Sequence, residues 1–87
     1  MKKWKENISD MLELPKDTFM NLPQIIMLGN KEIYIDNYKG IIEYSDTVIR
    51  LNIGEKALKI CGENLDIKGI GEEDITIDGS FCSVEFL

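Results

Sequence analysis

Side chains able to do chemistry are few in this chain, and none of them is a histidine. Without imidazole the commonest general base and metal ligand is missing, and neither Cys-His nor Ser-His nucleophilic pairs can form. The two thiols, Cys61 and Cys82, stand too far apart for CxxC spacing, so a zinc site is not expected. The carboxylates Glu72, Glu73, Asp74 and Asp78 are the densest acidic group. By type they would suit a paired-carboxylate acid–base site or a loop-bound Ca²⁺. In a chain with 16 Asp and Glu against 10 Lys and Arg, solvated charge at a turn and a strand end is the plainer account. No glycine-rich loop leads from a strand into a helix with a following Lys and Ser or Thr, so no phosphate cradle is expected. The residue types point away from an enzyme, and no cofactor or metal is expected.

The elements that would position these residues belong to one small domain. The chain has 87 residues, of which 44% are hydrophobic and 30% charged, ordinary values for a folded globular chain. A chain of this size buries only about 60% of the surface its unfolded form exposes, so the core must be compact. The formal net charge of −6 disfavours nucleic acid and anionic lipid as partners, since neither is attracted to an acidic surface. Lys2, Lys3 and Lys5 are the one basic cluster, read as a solvated end. No apolar run approaches the ~20 residues of a membrane-spanning helix. Nor does an apolar h-region follow a charged n-region. Two reduced thiols are therefore expected, although a cross-strand disulfide between Cys61 and Cys82 is geometrically open.

Residues 1–14 read as a short amphipathic α-helix. Trp4, Ile8, Met11 and Leu12 fall at i, i+4, i+7 and i+8, one stripe of a 3.6-residue period. Fewer than four turns are marginal alone, so the stripe needs a surface: the domain's own sheet, a partner protein, or a second copy. Pro15 stops the helix. A linker over 15–23 follows, with Phe19, Met20 and Leu22 expected to lie along the domain.

Residues 24–87 alternate apolar and polar positions, the pattern of strands with one buried face. Ile33 and Ile35, Ile49, Leu51 and Ile53, Leu58 and Ile60, Leu65 and Ile67, Ile75 and Ile77, then Cys82, Val84 and Phe86 form the inward series. Turns are expected at Gly29-Asn30, at Asp36 to Gly40, at Ser45-Asp46, at Gly54-Glu55, at Gly62 to Asn64, at Gly69 to Glu73 and at Gly79-Ser80. That predicts a mainly β domain: an antiparallel meander of about eight short strands, folded into a β-sandwich or roll. A short solenoid is the alternative, because the last segments have similar lengths and turns.

Apolar or aromatic residues on the presumed outer face are the more informative anomaly. Tyr34, Val48, Cys61, Phe81 and Leu87 alternate away from the core, and Tyr38 sits on a turn. An exposed apolar patch on a small domain marks a contact site. Nothing follows the last strand to cover its edge, and an open edge can pair with another chain. Trp4, Ile8, Met11, Tyr34, Tyr38 and Phe81 are the candidate partner-binding residues. Edge strands or the N-terminal helix would serve a homo-oligomer.

The stretch LPQIIMLGNKEIYIDNYKGII, Leu22 to Ile42, resembles the opening of the YabP/YqfC family of sporulation proteins. A Leu-Pro pair leads a strand, a Gly marks the turn, and an Ile-Tyr-Ile strand ends in an acid-Asn pair and a basic-Gly step. The stretch ALKICGENLDIKGIGEEDITIDGSFCSVEF, Ala57 to Phe86, is similar to the remainder, closest to the YqfC branch. One departure is Tyr38, where the resemblance leads one to expect His. The resemblance implies no catalytic residue. It implies a small cytoplasmic protein of the mother cell, acting in spore coat or cortex assembly at the forespore membrane beside a membrane-protein partner. Two other classes stay in view: a self-assembling structural β-protein, and an enzyme or small-ligand carrier with a deep polar pocket.

Overall fold

A computed structural model describes residues 22–87. The helix expected over 1–14, with Trp4, Ile8 and Met11, and the linker up to residue 21 lie outside the described residues. The described residues form six strands: β1 (Gln24–Leu28), β2 (Glu32–Asp36), β3 (Gly40–Tyr44), β4 (Val48–Asn52), β5 (Ala57–Ile70) and β6 (Asp74–Phe86). They make one antiparallel sheet in the order β1-β2-β6-β5-β4-β3. No helix occurs among the described residues.

Six strands stand where about eight were expected, because two expected turns are bends inside long strands. Gly62 to Asn64 lies within β5 and Gly79-Ser80 lies within β6. The two sites face each other: Gly62 pairs with Phe81 and Glu63 with Ser80, and the register then slips before Asp66 meets Asp78. Asn64 takes a φ of 55° and Gly79 a φ of 153°, so the turn-forming residues do adopt turn-like backbone. Pairing continues on both sides of them, which makes them β-bulges rather than chain reversals.

The bends fold the sheet. Asp36 at the end of β2 pairs with Asp74, level with the C-terminal end of β5, whereas Gly40 pairs with Asn52, which pairs with Ala57 at the start of β5. On a flat sheet those levels would be ~43 Å apart along β5, at ~3.3 Å per residue. The link from Asp36 to Gly40 can span at most ~14 Å. The sheet must therefore double over across its middle, bringing its two halves face to face. Backbone bonds fasten the link at both ends: Asn37 N donates to Glu73 O at 2.7 Å and Lys39 N to Asn52 O at 2.7 Å.

Both halves supply one core. Ile33, Ile35, Ile75 and Ile77 from one, and Ile49, Leu51, Leu58 and Ile60 from the other, are fully buried in a single cluster with Ile53, Leu65 and Phe81. Each such side chain is worth ~1.5–3 kcal/mol of burial. The tips of both hairpins are tied to the bends. Gly79 N and Phe81 N donate to Lys31 O and Asn30 O, while Gly62 N and Leu65 N donate to Thr47 O and Asp46 O.

Candidate interaction surface

The residues of chemical promise are scattered. Cys61 is half-buried and Cys82 exposed, and both are free thiols. Cys82 does not share the inward face of Val84 as alternation suggested. Cys61 pairs with Ser83 and Gly62 with Phe81, which leaves Cys82 as the extra residue of a bulge. Glu72 and Glu73 are exposed, and Asp78 lies 3.4 Å from the Lys68 ammonium. Among the described residues no group of three such side chains is placed to hold a metal ion.

Two of the aromatic candidates are held by local partners. Tyr34 points outward from β2, half-buried, and its hydroxyl donates to Asp74 Oδ2 at 3.2 Å. Burial foremost, then the Asp74 carboxylate, pushes its phenol up to about 12. Tyr38 packs on the core cluster rather than projecting from its turn. Its neighbour Asn37, at a φ of 70°, donates from Nδ2 to Leu22 O at 3.1 Å. Phe81 is a correction. It is only 7% exposed, inside the core. The bulge at Cys82 turns both Phe81 and Val84 inward at a spacing of three, which a strict period of two cannot represent.

The apolar surface that remains open is elsewhere. Edge strand β3 carries Ile41, Ile42 and Tyr44, which are 42%, 51% and 51% exposed. Ile41 pairs with Leu51 and Glu43 with Arg50, so Ile42 is the extra residue of a bulge. Two adjacent isoleucines in a short strand were the signal for this, since alternation cannot bury both. The Glu43 carboxylate lies 3.6 Å from the Arg50 guanidinium on the outer face. Among the described residues β3 pairs only with β4, which leaves its other backbone edge without a strand.

That edge faces the C-terminal part of β5. The Tyr44 hydroxyl donates to Asp66 Oδ1 at 3.2 Å and accepts from Ile67 N at 3.5 Å. Among the described residues β4 pairs with β5 only from Ala57 to Cys61, so no strand pairs with that side of the second half of β5, and Ile70 is exposed at its far end. Backbone donors and acceptors with apolar side chains beside them are what an added extended segment requires. Leu22, Pro23, Ile53 and Phe86 line a groove of about 450 Å³, with Lys39, Glu55 and Lys56 beside them.

The YabP family model matches residues 21–87. The uncharacterized protein YqfC of Bacillus subtilis (strain 168) is 36% identical over all 87 residues, which cover 90% of its length. No solved structure matches the chain. The chain belongs to the YabP family.

Proposed function

We propose that this protein is a non-enzymatic sporulation factor, an adaptor or assembly factor for spore coat or cortex formation. In this reading it works in the mother-cell cytoplasm at the forespore surface, and its partner is a protein anchored in the forespore membrane. Family membership supports the sporulation setting. The observation that carries the adaptor reading is β3, an edge strand whose three large apolar side chains stay open beside unpaired backbone. A partner segment would add to that edge by main-chain hydrogen bonds, with Ile41, Ile42 and Tyr44 giving selectivity. The doubled-over sheet then acts as a sandwich-like scaffold, and the stripe Trp4, Ile8 and Met11 is a second contact within the same proposal.

The test is capture of partners from sporulating cells by tagged protein, wild type against Ile42→Lys. A sporulation protein retained by the first and lost by the second supports the reading. Equal capture by both removes β3 from it.

A second reading, self-assembly, is favoured by one observation: the opposite edge strand β1 also exposes large apolar residues, Met27 and Leu28. Two open edges allow chains to add head to tail. Light scattering over a concentration series separates the readings, because an adaptor keeps one small mass and a polymer grows.

A further inference from the structure

Among the described strands β1 alone has no charged side chain: it consists of Gln24, Ile25, Ile26, Met27 and Leu28. Each of the others carries at least one Asp, Glu, Lys or Arg. β1 is also an edge of the sheet, and its pairing with β2 runs from Gln24 to Leu28 without a shift of register. Charges and bulges are the devices that keep an open edge from pairing with another copy. The opposite edge, β3, has both, in Glu43 and the bulge at Ile42. β1 has neither, and among the described residues no strand pairs with its free side.

The side chains of β1 also fit their own copy. Ile25 and Met27 pair with the fully buried Ile35 and Ile33, so they stand on the inward face, while Ile26, opposite Tyr34, and Leu28 stand on the other. Antiparallel pairing about a twofold axis at Ile26 sets Ile26 against Ile26, Ile25 against Met27 and Gln24 against Leu28. Inward residues then meet inward ones, and no charge meets a charge. Two chains that each carry a net charge of −6 repel least where neither presents one. We propose that the free side of β1 is occupied by a second copy of this chain, giving a closed dimer through β1–β1 pairing. The contact is isologous, so it occupies both β1 edges and growth stops at two chains. Such a dimer presents two β3 edges and binds a multivalent partner with avidity. It depends neither on the sporulation reading nor on what adds at β3.

Sedimentation equilibrium of the full chain tests it. Wild type should rise to twice the 10.0 kDa of one chain with increasing concentration and stay there. Ile26→Lys and Ile26→Glu each set like charges directly opposite at the axis, and each alone should remain at 10.0 kDa. Mixed in equal amounts they set Lys against Glu and should restore the doubled mass, which a variant that had merely failed to fold would not do. Ile42→Lys, which alters only the β3 edge, should keep the doubled mass. A wild type that stays at one chain or grows beyond two would overturn the proposal. So would a doubled mass in either Ile26 variant alone, a mixture that stays at 10.0 kDa, or loss of the dimer in Ile42→Lys.

Discussion

The Tyr44 hydroxyl donates to Asp66 Oδ1 at 3.2 Å, and this pair is what joins the edge strand β3 to the far half of the folded sheet. The same oxygen accepts from Ile67 N, a backbone donor that would otherwise have no strand to meet. Tyr44→Phe removes both bonds and leaves the ring in place. The expected cost is ~0.5–1.5 kcal/mol in urea unfolding, with faster hydrogen exchange at the Ile67 amide. Unchanged exchange at Ile67 would show that the bridge does not hold the seam.

Gly62 leaves no room for a side chain against the backbone of β6. A Cβ there would stand 2.2 Å from Ser80 O and 3.0 Å from the Phe81 Cα, both of them backbone atoms. Gly62→Ala therefore forces the two central strands apart at the bend, and should cost about 1–3 kcal/mol or more by urea midpoint. A neutral result would place the bend elsewhere.

Phe81 and Cys82 give opposite expectations side by side. Phe81→Ala empties part of the core and should cost about 3 kcal/mol or more, while Cys82→Ala on the exposed bulge should stay within ~0.5 kcal/mol. Equal losses at both positions would contradict the register of β6.

Strict alternation located most of the core and, of the open apolar surface, only Leu87. Ile33 and Ile35, Ile49 and Leu51, Leu58 and Ile60, and Ile75 and Ile77 are inward as their period of two requires. Gly62, Asn64 and Gly79 carry the same local chemistry whether the chain reverses or merely bulges, so two long strands read as four short ones. The pairing of β2 with β6 is set by contacts 38 to 46 residues apart, which no local window contains. Phe81 looked outward because a bulge resets the count. Ile41, Ile42 and Tyr44 looked like an ordinary strand because being at an edge is a property of the sheet order.

Tyr34 makes the stability of the domain depend on alkaline pH. Its phenol is raised from 10.0 to about 12, so the folded state favours the protonated form more than the unfolded chain does. That contribution is complete below about pH 10 and is lost as pH rises through about 12. Melting curves across this window should show wild type losing stability more steeply than Tyr34→Phe. Parallel curves would mean that burial and Asp74 do not hold the proton.

The proposal that partners add at β3 is open to direct test. The most direct measurement is partner capture from sporulating cells with wild type and Ile42→Lys, alongside a melting curve of each. Ile42 is half exposed and outside the core, so its replacement should leave Tm within a few degrees. A sporulation-stage protein should be retained by wild type and lost from the variant at unchanged fold. Equal retention by both proteins would contradict it.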